Sequence, residues 1–135
     1  SLIKGHGGAL LREKIVAAAS RRFVIIVDES KIVGQLGTTA PLPVEVIPFG
    51  WRAAASHVEG LGAQPELRRK ADGEPFVTDE GNYILDCRFP GIPDPAALDR
   101  QIRSRAGIVE TGLFVGMASE AIVASAEGVR SITLT

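Results

Sequence analysis

The chain has 135 residues, 45% of them hydrophobic, with a net charge of −1 and a pI near 6.1. That is enough for one ordinary domain or two very small ones, with apolar residues to spare for a core. The charge balance excludes nucleic acid as the main partner and excludes a polybasic membrane patch, because both need a basic surface.

The single cysteine, Cys87, rules out an intrachain disulfide and reads as a plain strand residue in a protein of a reducing compartment. With only His6 and His57 beside it, no structural zinc site is expected, and no metal or cofactor is called for. The N-terminus lacks the charged segment, apolar run and small-residue cleavage site of a secretory signal. No stretch approaches the ~18 apolar residues that span a membrane. A soluble, cytoplasmic protein is expected. Ser1 opens the chain without an initiator Met, and Leu2-Ile3 reads as the end of a buried strand. The numbering is therefore expected to begin partway through a longer protein.

Taken in chain order, residues 8–20 (GALLREKIVAAAS) read as a helix, with Leu11, Ile15, Ala18 and Ala19 on one buried face. FVIIV (23–27) reads as a strand buried on both faces of a parallel sheet. Strand end, glycine turn, helix and strand together form a βαβ unit. A polar Gly- and Pro-containing connection leads to a boundary near Pro41. VEVIP (44–48) alternates like a strand, and GWRAAASHVEG (50–60) reads as a helix ended by Gly60 and Gly62. Two strands are expected at 65–71 and 82–89, the second preceded by a tight turn at Asp79-Glu80-Gly81-Asn82. Asp94-Pro95 starts a helix, as N-cap and first residue, that runs to Gly107. GIVETGLF (107–114) is a further strand, and the order β-α-β-β-α-β over 43–114 is that of a ferredoxin-like layer. Trp51, Phe49, Phe76 and Phe89 are assigned to its core. Two last apolar runs, Ala121–Ala124 and Ser131–Leu134, flank a Glu127-Gly128 turn and return to the first sheet.

Three stretches carry chemistry. Lys4-Gly5-His6-Gly7-Gly8 sits between strand and helix, where backbone N–H groups and a helix N-terminus can cradle an anionic oxygen or phosphate. It is not a Walker loop, because the lysine precedes the glycines and no Ser/Thr follows. A tight turn with a solvated lysine is the plain alternative. Glu13 has Ala9, Leu10, Val16 and Ala17 at helical neighbour positions, so loss of hydration should raise its pKa toward the range of a proton shuttle. A surface glutamate is the commoner case. Asp28-Glu29-Ser30-Lys31 follows a strand, at the rim where ligands gather in open α/β sheets, and Lys31 there can hold phosphate or polarise a carbonyl. His6 reads as a loop residue and His57 as a structural one.

KGHGGALLREKIVAAAS, VIIVDESK, LGTTAPLPVEVIPFGW, GNYILDCRF and GIVETGLFVG…GVRSI, in this order, resemble the type A ribose-5-phosphate isomerase family, from Ser1 to Thr135. The resemblance implies a Rossmann-like parallel sheet, here partial, in residues 1–42 and 115–135. It implies an inserted ferredoxin-like α+β domain in 43–114. It implies substrate binding by Lys4, Gly5, His6 and Gly7, a further substrate lysine at Lys31, and Glu13 as catalytic base. The implied reaction interconverts D-ribose 5-phosphate and D-ribulose 5-phosphate through an enediolate, without metal or nucleotide, in a homodimer or homotetramer. A non-catalytic sugar-phosphate-binding module and an inactive fragment are the competing readings.

Two features depart from the family. His6 stands where the family loop has glycine, which is tolerated only if its φ is negative or the ring accepts left-handed strain. The family's upstream phosphate loop and acidic loop are absent, and Asp72-Gly73-Glu74 is no substitute. The chain therefore resembles the last three-fifths of a family member, and alone it is expected to fold poorly and to be inactive.

Overall fold

The computed structural model describes residues 1–133 and forms three sheets and three helices among them. Leu42–Val46 (here β3), Gln64–Leu67 (β4), Tyr83–Arg88 (β5) and Ile108–Thr111 (β6) make a four-stranded antiparallel sheet in the order β4-β5-β3-β6. Two strands precede these, Leu2–Ile3 (β1) and Val24–Asp28 (β2), and three follow: Leu113–Phe114 (β7), Glu120–Ser125 (β8) and Gly128–Thr133 (β9). The helices are Leu10–Ala19 (α1), Trp51–Gly60 (α2) and Pro95–Arg103 (α3).

The four-stranded sheet is the best packed part. All five residues of β3 are buried, which requires cover on both faces. Alternation sends Leu42, Val44 and Val46 to one face, in a cluster with Ala54 and Val58 of α2 and Ile102 of α3. Pro43 and Glu45 lie on the other, with Pro43 against the glycine turn before α1. Glu45 is fully buried and accepts from Thr78 Oγ1 at 3.1 Å and Asn82 Nδ2 at 2.9 Å. Asp94 caps α3 as expected, accepting from the Ala97 N–H at 3.1 Å.

Several expectations are corrected. In α1 the buried residues are Leu10, Lys14 and Ala17; Leu11 is only half-buried, and Ile15, Ala18 and Ala19 are exposed. The cause is Lys14, whose ammonium finds a carboxylate and two carbonyls under the helix and so rotates a charged residue inward. β2 is not buried on both faces: among the described residues it pairs only with β8, in parallel, in the order β2-β8-β9, and Ile26 is 77% exposed. The first strand, the helix and β2 do not share one sheet, because β1 pairs antiparallel with β7. The expected strand 65–71 ends at Leu67, and residues 68–82 make an excursion before β5. The helix expected to reach Gly107 stops at Arg103, and strand 107–114 breaks at Gly112 into β6 and β7. Phe49 is 93% exposed rather than core, sitting just before the left-handed Gly50 that starts α2; Trp51 and Phe89 do pack on the core. The last two runs do return to β2 through β8, while Leu134 lies outside the described residues.

Candidate active site

The approach to the site is fixed by backbone bonds. β1 lies against β7, the Lys4 N–H donates to Gly112 O at 2.8 Å, and the Gly112 N–H donates to Pro43 O at 2.8 Å. The chain then bends, with the Gly8 N–H donating to Gly5 O at 3.0 Å. The left-handed backbone angles fall on Gly5 (φ +108) and Gly8 (φ +88), and among the described residues no non-glycine residue has a positive φ. That is why histidine is accommodated at position 6. Gly8 is further pinned by Phe76, whose ring would meet an added Cβ at 2.5 Å.

The bend delivers the chain into α1 with Ala9 at the N-cap and no side-chain cap, leaving the positive helix end open toward the turn. Glu13 lies in the first turn of α1, its carboxylate 3.7 Å from Lys4 Nζ. The withdrawal from water expected for Glu13 is not found: its side chain is 43% exposed and that of Lys4 32%. Its neighbours Ala9 and Ala17 are short, and Leu10 and Ala17 turn inward, so they flank the carboxylate without covering it. Its partner is the lysine.

After β2, Asp28 caps a single 3-10 turn, Glu29–Lys31, accepting from the Ser30 N–H at 2.8 Å and from the Ser30 hydroxyl. Those bonds, the hydroxyl foremost, hold the Asp28 carboxyl below its ordinary range. Lys4, Gly5, His6, Gly7, Glu13 and Lys31 all line one cleft of about 1060 Å³. The arrangement offers one carboxylate that can take and return a proton, two ammonium groups and an open backbone bend for an anionic oxygen.

Other candidates fall elsewhere. His57 Nε2 lies 2.9 Å from Gln101 O and ties α2 to α3. Cys87 is fully buried in β5, where desolvation, with a smaller contribution from Asp86, pushes its thiol up to about 12. Asp72 closes its own turn by accepting from the Glu74 N–H at 2.9 Å. Among the described residues no group of three or more His, Cys, Asp or Glu side chains is placed to hold a metal ion, and no helix is long and apolar enough to cross a membrane.

Sequence reasoning missed two buried supports. Lys14 Nζ donates to Glu110 Oε1 at 2.9 Å and to the carbonyls of Thr111 and Leu113, each at 2.7 Å, so it fastens α1 to β6 and β7. Arg68, just past β4, forks onto Asp86 of β5 and reaches the glycine bend. Only the Leu10, Lys14, Ala17 spacing could have pointed to the first; nothing local pointed to the second.

A mixed α/β chain of several sheets, with a carboxylate, lysines and a glycine bend around one cleft, is an architecture of small-molecule α/β proteins. The profile of ribose 5-phosphate isomerase A (phosphoriboisomerase A) matches residues 1–128, and the chain belongs to that family. It is 54% identical over 132 residues to ribose-5-phosphate isomerase A of Synechococcus sp. (strain JA-3-3Ab), covering 98% of this chain and 57% of that protein. It is 59% identical over 133 residues to the protein of that name from Gloeobacter violaceus, covering 98% and 57%. Among solved structures, a D-ribose-5-phosphate isomerase in complex with phospho-erythronic acid superposes with a TM-score of 0.95 at 37% identity, covering 98% of this chain and 58% of that one. The Methanocaldococcus jannaschii ribose 5-phosphate isomerase A gives 0.92 at 36% identity, covering 98% and 59%. The chain thus spans less than three-fifths of the length of these relatives.

Proposed function

We propose that the protein containing this chain interconverts D-ribose 5-phosphate and D-ribulose 5-phosphate. The observation that carries the reading is the convergence of Lys4, the 5–7 bend, Glu13 and Lys31 on one cleft, with Glu13 beside Lys4. In the opened aldose, Glu13 takes the proton from C2. The C–H electron pair becomes the C1–C2 double bond of an enediolate, and the negative charge moves to O1. Lys4 and the bend amides oppose that charge. Glu13 then returns its proton to C1, and the O2 hydroxyl proton passes to O1, leaving the ketone at C2. One carboxylate serves because it removes and redelivers the same proton. Lys31, which lines the same cleft, binds the substrate anion.

The same reading divides the chain into part of a Rossmann-like domain, 1–42 and 115–135, and a ferredoxin-like domain, 43–114. Support comes from the parallel β2–β8 pair in the first and the antiparallel order β4-β5-β3-β6 with two helices in the second. A cytoplasmic homodimer or homotetramer completes it. The exposed Ile15, Val16 and Ile26 favour the view that residues 1–135 by themselves are inactive, because apolar side chains on a helix and an edge strand call for cover by further polypeptide.

Glu13→Gln in the full-length protein tests the mechanism. Turnover should fall about a thousandfold or more while substrate binding is largely kept. Turnover within tenfold of the parent removes Glu13 as the base. Appreciable turnover by the isolated 135-residue segment would overturn the view that it is inactive alone.

A further inference from the structure

The guanidinium of Arg68 uses all three of its nitrogens. Nε donates to Asp86 Oδ2 at 2.9 Å and Nη2 to Asp86 Oδ1 at 2.7 Å, a two-point fork between side chains that are mostly buried. Nη1 donates to two successive backbone carbonyls, Gly5 O at 3.2 Å and His6 O at 3.0 Å. The same guanidinium lies 5.8 Å from the Phe76 ring centroid, and that ring packs on Gly8. Both ends of the bend are therefore held by one segment, residues 68–76, from outside the bend and helix that carry Lys4 and Glu13.

The consequence follows from peptide geometry. Among the described residues no peptide bond is cis. In a trans peptide the carbonyl and the following N–H point in opposite directions. Pinning Gly5 O and His6 O toward Arg68 turns the N–H groups of His6 and Gly7 away from it. Among the described residues, neither of these N–H groups has an acceptor in the protein. Arg68 and Asp86 border a separate cavity of about 440 Å³, whereas Gly5 and Gly7 line the cleft that holds Glu13. His6 borders both.

We propose that Arg68, oriented by Asp86, is a positioning residue that aims the His6 and Gly7 amides into the Glu13 cleft as donors to an anionic oxygen of the substrate. The proposal rests on the isomerase reading of that cleft. Arg68 does not touch the substrate. It decides whether two neutral amides are already aligned when charge develops on O1. Lysine cannot reproduce this, because one ammonium cannot fork onto a carboxylate and hold two carbonyls in the same plane.

The test compares Arg68→Ala, Arg68→Lys and Asp86→Asn with the parent in the full-length isomerase, reading kcat, KM, thermal midpoint and the affinity for phospho-erythronic acid. Misaligned donors should lower kcat of Arg68→Ala about 10- to 100-fold, a fraction of the loss seen when an oxyanion donor is deleted outright. KM should change less than threefold, and affinity for the anionic probe should drop about in step with kcat. Arg68→Lys should recover little, while added guanidinium should restore part of the Arg68→Ala turnover. If Arg68→Ala does not fold, Asp86→Asn decides, since it keeps the arginine and loosens only its orientation; a kcat loss of about fivefold at an unchanged thermal midpoint is then expected. A variant that melts lower yet turns over within twofold of the parent would show Arg68 to be merely structural and would overturn the proposal. Glu13→Gln separates the two readings: if it stays active, the mechanism of the cleft fails, whereas a dead Glu13→Gln beside a fully active, folded Arg68→Ala refutes only the positioning role.

Discussion

Replacing Lys14 by Met asks how much the fold depends on one buried ammonium. Methionine keeps the length of the stem and fills the space, so the change isolates the charge and its three donors. Removing them leaves the carbonyls of Thr111 and Leu113 without that partner and takes one cation from Glu110. Glu110 is not stranded, because Arg103 Nη1 stays 3.1 Å away and the Thr111 N–H donates to it at 2.9 Å. Breaking a buried pair from one side costs about 3–5 kcal/mol, and each buried carbonyl left unpaired about 1–3. With Arg103 remaining, the lower part of the first range applies, and a net loss of about 3–5 kcal/mol is expected once water reaches one carbonyl. Urea unfolding of the full-length protein, followed by far-UV circular dichroism, measures it. Glu110→Gln and the double variant should show strong non-additivity, because the two groups share a bond. A Lys14→Met loss below about 1 kcal/mol would refute the reasoning and make the buried ammonium no better than an apolar filler.

Gly8→Ala should destabilise severely, by about 2–4 kcal/mol, since it adds left-handed strain to a collision with the Phe76 ring, and Phe76→Leu should recover part of the loss in a thermal melt. Cys87 should not react with an exposed-thiol reagent at pH 8 in the folded protein and should react in urea; its raised thiol pKa means the matching stability is full below the ordinary value of 9.0 and is lost as pH climbs from there toward about 12. The Glu120 carboxyl is held below its ordinary 4.5 by the Ser131 hydroxyl and then Arg22, so its contribution is present above that pH and fades as acid takes it through the lowered value; Glu120→Gln should flatten that part of the acid-unfolding curve.

Elements governed by local rules were legible. The Asp94-Pro95 start, the short apolar strands and the glycine-ended helix α2 follow from caps, β-branching and turn chemistry. The face of α1 was not, because counting apolar residues favours Ile15 while the burial is decided by carbonyls of Thr111 and Leu113 almost a hundred positions away. Pairing of β1 with β7 and the break at Gly112 were hidden for the same reason: a two-residue strand has no pattern, and its partner is remote in sequence. In the site, Lys4, Glu13 and Lys31 were legible as residue types at a strand-to-helix turn and a strand end. The surroundings of Glu13 were misjudged, since apolar neighbours in sequence become cover only if their side chains are long enough and point the right way.

The site residues and their supports divide the physical work. Lys4 and Glu13 are partly exposed and meet at 3.7 Å, a distance and a setting in which an ion pair is weak and screened. Such a pair cannot hold a fixed geometry by itself, yet it stays free to exchange partners. Rigidity comes from behind. Lys14 fixes the rotation of α1, and with it the direction of the next-door Glu13, to β6 and β7. Arg68 fixes the bend to β4 and β5. Both anchors are cations on backbone carbonyls with one carboxylate partner, and both bind to the same four-stranded sheet or its continuation in β7. The sheet therefore acts as the reference frame for the bend and for the helix, and a perturbation there reaches Lys4 and Glu13 through these two anchors rather than through the cleft itself.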